Sequence, residues 1–441
     1  MSVPVQPNRI KLFLEMGVCL LLVSALTTMI HWQMTGHQNE AWATGNAAPR
    51  TQEALPPLPA GANLFFVSTD IPSLLVAPTG DTTGLSGQSQ TPTRLISWDN
   101  GQGQGLHSAA QDEAGHDGGN VAGKLALSPD GQRLLVQTHF GVQPVAWTLD
   151  LRQPARPTLT RLTAAGSGLF LGWHPDSQRV LYRADDSDVP DPGLWLVNVT
   201  DGTYQRLDIP GLTAPEMLLA AAFSPDGSKL VYATSQGMGF GSEIWLAEAD
   251  GGNPKQILKD DLTIISSLNW SPDGRQIAFT KIADSPVPFS GAGLWVIPAQ
   301  GGKPKFLTVM DGGRGQEPLW SQDSQWLFYV TRENYDNVEA NYETEQLHSS
   351  IRAMKVQDAQ ESVLVDNIAS RQIDLSLTGA EGLVFSSNRA GRQEVWRVDT
   401  QGRQLEQLTF DGEGKRWPVL ITTPQAQGQS IYLPLITKDE Q

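Results

Sequence analysis

Leu219-Ala220-Ala221-Ala222-Phe223-Ser224-Pro225-Asp226-Gly227-Ser228-Lys229-Leu230-Val231-Tyr232-Ala233 reads as two short apolar strands joined by a tight turn. Proline presets φ, the aspartate can bond its own backbone, and glycine closes the turn. The turn returns as Ser128-Pro129-Asp130-Gly131 and Ser271-Pro272-Asp273-Gly274, and as the variants His174-Pro175-Asp176-Ser177 and Ser321-Gln322-Asp323-Ser324. Its aspartates, Asp130, Asp176, Asp226, Asp273 and Asp323, are spaced by 46, 50, 47 and 50 residues. A period near 50 residues points to a propeller or solenoid.

A second marker follows the first four turns, a run with tryptophan inside it: Trp147, Trp195, Trp245 and Trp295, with Trp396 two periods further on across one degenerate unit. A fourth run closes the unit, as in Lys305-Phe306-Leu307-Thr308. Four short strands per repeat describe a propeller blade, and the repeated tryptophans are expected to pack between blades. The expected fold is therefore an all-β propeller of about seven four-stranded blades, with six or eight as the alternatives. The strands Leu64–Val67, Leu74–Val76 and Leu95–Ser97 at one end, and Trp417–Ile421 and Ile431–Leu435 at the other, are expected to share the last blade. Such closure removes open sheet edges.

The Ser-Pro-Asp-Gly hairpins, the aromatic-aliphatic third run and the closing Leu-Thr resemble TolB-like repeats, over about residues 120–410. That family is related in shape to WD-repeat propellers. The resemblance implies a propeller outside the cytoplasm. It names no partner, because function resides in sites and not in the fold.

Met16 to Ile30 is an apolar run with Arg9 and Lys11 ahead of it, and the next basic residue is Arg50. This pattern predicts a signal-anchor helix over 1–32, with the propeller on the far side of the membrane; the alternative is a cleaved export signal. Residues 33–62 carry Thr44-Gly45-Asn46 and Pro56-Pro57-Leu58-Pro59 and read as a flexible linker before a propeller over 63–441. The formal charge is −16, from 31 basic and 47 acidic residues, and no basic footprint for nucleic acid is present. The one cysteine, Cys19, lies in the apolar run, so the propeller is not built on disulfides.

No Gly-x-Ser-x-Gly elbow, phosphate-binding loop or His-Glu-x-x-His is found, and no cofactor is expected. Asp185, Asp186, Asp188 and Asp191 could offer oxygen ligands to Ca²⁺, but they lack the spacing of a regular calcium loop and read as a solvated acidic loop. His107 and His116 sit in a glycine-rich stretch, and His174 replaces the turn serine. The recurrent aspartates are read as structural, since every unit needs its turn. Function is expected on the opposite face, where the second-to-third connections vary from His139–Pro144 to Thr331–His348. Tyr335, Tyr342, Arg389, Arg392 and Arg416 are the candidate contacts there for a protein or envelope polymer. The expected role is a non-catalytic, membrane-tethered scaffold. The alternatives are a propeller enzyme acting on polysaccharide, as a lyase or glycosidase, and a sensor of a small ligand in the channel.

Overall fold

The structure is a computed structural model that describes residues 62–68, 73–78, 93–97, 125–140, 143–152, 158–162, 168–184, 193–212, 218–235, 241–283, 291–312, 317–334, 347–366, 370–378, 382–412 and 414–421. All belong to one unit, 52–441. The expected signal-anchor, the acidic loop 185–191 and the histidines at 107 and 116 lie outside the described residues, as do Tyr335 and Tyr342. Among the described residues no helix is long and apolar enough to cross a membrane.

Every described element is a strand, because short β-branched and aromatic runs alternate with turn residues throughout. The N-terminal part supplies β1 (Asn63–Ser68), β2 (Ser73–Pro78) and β3 (Thr93–Ser97). Six sheets follow, each of four consecutive antiparallel strands. The first holds β4 (Leu125–Leu127), β5 (Arg133–Phe140), β6 (Gln143–Asp150) and β7 (Thr158–Leu162). The second holds β8 (Gly168–Trp173), β9 (Arg179–Ala184), β10 (Gly193–Asn198) and β11 (Tyr204–Leu207), and the third β12 (Leu218–Phe223), β13 (Lys229–Ser235), β14 (Ser242–Glu248) and β15 (Lys255–Asp260). The fourth holds β16 (Thr263–Trp270), β17 (Gln276–Ala283), β18 (Gly291–Pro298) and β19 (Lys305–Asp311). In the fifth are β20 (Leu319–Trp320), β21 (Trp326–Arg332), β22 (Ser349–Lys355) and β23 (Gln360–Val365). The sixth has β24 (Gln372–Thr378), β25 (Gly382–Ser387), β26 (Glu394–Asp399) and β27 (Leu405–Gln407). The last strand, β28 (Lys415–Ile421), pairs with β1, giving a composite sheet in the order β28-β1-β2-β3.

First strands of neighbouring sheets contact one another along the series β8, β12, β16 and β20, and again from β24 to β28 and from β28 to β4. They therefore line the axis, and the C-terminal β28 takes the inner place in the composite sheet. Successive sheets bury an apolar layer between them: Leu135 and Phe170, then Leu196 and Leu218, then Val231 and Ile265. Leu294 and Tyr329, then Ile351 and Phe385, continue the series, and Phe66 with Val384 and Leu420 joins the sixth sheet to the composite one.

The third-strand tryptophans occupy the margins of these layers and do not fill them. Trp195, Trp245, Trp295 and Trp396 are half-buried, and the side chain of Trp147 lies outside the described residues. Trp245 stacks on Tyr232 of its own sheet at 6.4 Å, and Trp295 on Phe279 at 6.5 Å. The sheet-to-sheet bonds come from a different series, the tryptophan just before the turn. Indole N–H groups of Trp173, Trp270 and Trp320 donate to Ala126, Ala222 and Asn269 carbonyls of the preceding sheet, at 3.0, 3.1 and 3.0 Å. The 50-residue tryptophans Trp195, Trp245, Trp295 and Trp396 meanwhile pack against the layers between sheets as half-buried rings. Trp245→Ala is expected to cost about 2 kcal/mol by denaturant unfolding, below the roughly 3–5 of a fully buried aromatic. A loss above about 4 kcal/mol would place the ring inside the layer.

Candidate functional site

The recurrent turns are closed on themselves. In each of the four serine-bearing copies the hydroxyl donates to the aspartate, at 2.6 Å for Ser128, Ser224 and Ser271 and 2.5 Å for Ser321. The same hydroxyl accepts the N–H five residues on, and the carboxylate accepts the N–H two residues on. The Ser224 hydroxyl, with the Ser228 N–H, holds the Asp226 carboxyl below the usual carboxylate range. With their acceptors spent in this way, these aspartates serve the backbone.

Two copies end in serine where the others have glycine, and the position is left-handed in all five, with φ of 59° at Ser177 and 61° at Ser324 against 69–71° at the glycines. A left-handed serine is disfavoured. Its hydroxyl provides the compensation: Ser177 accepts the N–H of Asp130, and Ser324 that of Asp273, each at 3.0 Å in the neighbouring turn.

His174 occupies the one junction where phenylalanine stands in place of the bonding tryptophan. Its ring meets Phe223 of the next sheet edge-on at 4.6 Å. The imidazole lies 3.1 Å from Asp176 and within 3.3 Å of Arg179. Burial lowers its pKa, the Asp176 charge opposes that shift, and Arg179 adds to it. A histidine held neutral in the fold but free to protonate when unfolded gives up stability as pH falls below the unfolded value of about 6.5. Thermal unfolding between pH 8 and pH 5 is expected to show this loss, with a slope of at most about 1.4 kcal/mol per pH unit from this group. His174→Gln should remove that component; an unchanged profile would mean the ring titrates alike in both states.

On the opposite face the inner strands start, and five of them carry one inserted residue against their second strand. In the second, third and fourth sheets the insertions fall at Leu171, Leu219 and Ser266, in small or apolar surroundings. In the sixth and composite sheets they involve Asp374 and Trp417, both left-handed, with φ of 57° and 56°. Such backbone in bulky or charged residues persists only where surroundings hold it. Here Arg416 donates to Asp374 through Nε at 2.5 Å and Nη2 at 3.2 Å, and the Trp417 N–H donates to the same carboxylate at 3.1 Å. The Asp374 side chain is 1% exposed. Next to it Lys415, fully buried, meets Glu394 at 3.4 Å and pairs with Asp411. Glu394 also accepts the Gly412 N–H at 2.7 Å and the Thr409 hydroxyl.

The residues expected to face a partner therefore divide. Arg416 is bonded to Asp374 and 15% exposed. Arg389 is likewise turned inward: it donates to the Asp366 carbonyl at 3.1 Å and lies over the Trp396 ring at 5.3 Å, and burial lowers its pKa. Arg392 stays exposed in the β25–β26 turn. The connection from β27 to β28 is tied across that turn, Lys415 N–H to the Gln393 carbonyl at 2.9 Å, and it presents Phe410 at 61% exposure. Neither Phe410 nor the Asp374–Arg416 pair was singled out from sequence; a phenylalanine between a closing Leu-Thr and Asp-Gly was the only signal for the former.

The longest second-to-third connection leaves from a braced root. Arg352 binds Glu333 at 2.9 Å and Glu361 at 2.6 Å, and the Tyr329 hydroxyl donates to Glu361. Burial pushes Glu333 up, yet the Thr331 hydroxyl and Arg352 hold it below the usual range. The Glu333 N–H closes the root on the His348 carbonyl at 2.7 Å. Among the described residues no group of three or more His, Cys, Asp or Glu is placed to hold a metal ion.

The model of the Tricorn protease N-terminal beta propeller domain matches residues 193–431, just over half of the chain. An uncharacterised protein of Agrobacterium fabrum is 26% identical over 238 residues, covering 51% of this chain and 58% of its own length, so the chain spans little more than half of that relative. Among solved structures, TolB from Acinetobacter baumannii is similar over 82% of both chains, with 15% identity and a TM-score of 0.41. The tricorn protease is similar over 86% of this chain and 37% of its own, with 9% identity and a TM-score of 0.48. Structural likenesses this distant carry no argument about activity.

Proposed function

This chain belongs to the family of the Tricorn protease N-terminal beta propeller domain, and from that premise we propose that it is a non-catalytic propeller, held outside the cytoplasm by its N-terminal segment, that binds a protein or envelope polymer on its loop face. The composite sheet counts as the seventh blade of the ring. The observation that carries the reading is the contrast between the two faces. On one, short turns of constant length spend their polar groups on the backbone and on each other. On the other, connections differ in length from sheet to sheet, and the longest is rooted on the Arg352–Glu333 brace. Rigid scaffolds with variable loops are the usual arrangement for recognition. The buried charges on that face are spent in ion pairs, which favours binding by exposed residues over acid–base chemistry. The basic flank before the Met16–Ile30 run supports the placement across a membrane, with residues 33–62 as spacer.

The test is capture from membranes of the source cells with the full-length protein. Tyr335→Ala with Tyr342→Ala, or Arg392→Glu, is expected to lower recovery of the bound partner at least about tenfold, with an unfolding midpoint within roughly 0.5 kcal/mol of wild type. Changes beside the turns, at Gln132 and Ser228, should leave recovery unchanged. Loss of binding from the turn side alone would move the functional face, and turnover of a glycan that depended on one carboxylate would replace binding with catalysis.

A further inference from the structure

Strand register places one residue of the fifth sheet where its neighbours carry tryptophan. Trp147, Trp195, Trp245, Trp295 and Trp396 pair across the second and third strands with Val136, Tyr182, Tyr232, Phe279 and Phe385. The fifth sheet keeps the second-strand aromatic, Tyr329, and sets Arg352 opposite it. A second position changes with the first. In the second sheet Tyr204 pairs two residues beyond Trp195, with Val197, and meets the indole edge-on at 5.3 Å. The equivalent residue of the fifth sheet, paired with Met354, is Glu361, and it accepts from Arg352 Nη1 at 2.6 Å. An aromatic pair has thus become an ion pair at the same two sites. An ion pair alone does not set this sheet apart, since Lys281 and Asp260 form one in the fourth; there Lys281 lies over Trp295 at 4.4 Å and the indole is kept.

The exchange has a directional consequence. Partly buried ion pairs are a poor route to stability, because desolvation offsets their attraction, and an indole with an aromatic neighbour already packs this site elsewhere in the ring. A guanidinium fork instead fixes the geometry of whatever carboxylates it holds. Glu361 would satisfy Arg352 within the sheet. The second arm leaves it: Arg352 Nη2 donates at 2.9 Å to Glu333, the first residue after β21. Thr331 donates to the same carboxylate at 2.6 Å. The Glu333 N–H then bonds the His348 carbonyl at 2.7 Å, and the His348 N–H bonds Asn334 Oδ1 at 3.0 Å. These bonds form the root of the longest second-to-third connection.

We infer that Arg352 is a positioning residue: it stands in place of a packing indole in order to fix the root at Glu333 and His348, and the sheet itself does not need it. Its use to a partner rests on the binding role proposed above. The root is measured without a partner, so failure of the capture experiment leaves this inference standing, and its own failure leaves the loop-face reading standing.

The test is amide hydrogen exchange of the full-length chain, read on peptides covering the root and on peptides within β21 and β22. Arg352→Trp with Glu361→Tyr installs the Trp195–Tyr204 pair of the second sheet. The Glu333 and His348 amides are expected to exchange at least about tenfold faster, while those within β21 and β22 stay within about threefold of wild type. The thermal midpoint should remain within about 3 °C. Glu333→Ala, which removes only the outer arm, should give the same local acceleration. Root amides that stay protected in both variants overturn the inference. Acceleration in Glu333→Ala alone overturns it too, because Arg352 would then be dispensable to the root. So does a Trp–Tyr variant that fails to fold or exchanges faster throughout β21 and β22, since Arg352 would then serve the sheet.

Discussion

A chain that stops before Lys415 is expected to lose the cooperative unfolding of the whole propeller and to show exposed apolar surface without a thermal transition. The reasoning runs from the place of β28. It is the inner strand of the composite sheet, so its loss bares the β1 edge and one side of Phe66, Val384 and Leu420's former layer. It also strips cations from Asp374 and Glu394. Each uncompensated buried charge costs about 3–5 kcal/mol, and the two together rival the roughly 5–15 kcal/mol by which a domain is stable at all. Calorimetry and dye binding of the truncated chain check this. A transition within about 3 °C of the intact protein would mean that the ring is closed without β28.

Asp374→Ala is expected to be the most costly single substitution, at about 3–5 kcal/mol in denaturant unfolding. It leaves the Arg416 guanidinium, 15% exposed, with its carboxylate gone, and it takes the acceptor from the Trp417 N–H. A left-handed backbone adds to the penalty, since alanine tolerates φ near 57° less well than aspartate. Asp374→Asn should cost markedly less, because asparagine accepts the same conformation and keeps an acceptor. Equal costs for the two would assign the effect to the charge alone. A cost below about 1 kcal/mol for alanine would mean that water satisfies the guanidinium.

Much of the fold was legible in the chain because its signals are local. A Ser-Pro-Asp-Gly turn forms from its own atoms, as the Ser224–Asp226 and Lys229–Ser224 bonds show. Repetition at 46–50 residues then multiplies one hairpin into a series. Trp417–Ile421 was recognisable as a closing strand for the same reason. The roles of the tryptophans were less legible. Trp195, Trp245 and Trp295 recur with the cleaner period, yet Trp173, Trp270 and Trp320 make the bonds between sheets, and only the twist of one sheet on the next brings their indoles to the neighbouring carbonyl.

The candidate face was legible as a face and not as residues. Connection length is written in the sequence, so the variable side could be found. Whether an arginine there is offered or consumed depends on what lies beneath it. Arg392 ends exposed in its turn, while Arg389 and Arg416, identical in type, are drawn inward by Asp366 and Asp374, which lie 23 and 42 residues away.

The sequence by itself determined the all-β repeat, the positions of its turns, the structural role of the recurrent aspartates and the segment able to close the ring. Each follows from interactions within five residues or from a period that recurs. Tertiary structure alone decided the rest: the order β28-β1-β2-β3, the left-handed Asp374 and Trp417, the serine bonds between turns, and the burial of Lys415 and Arg416. These pair residues far apart in the chain, and their energies come from excluding water around charges, which no local pattern encodes.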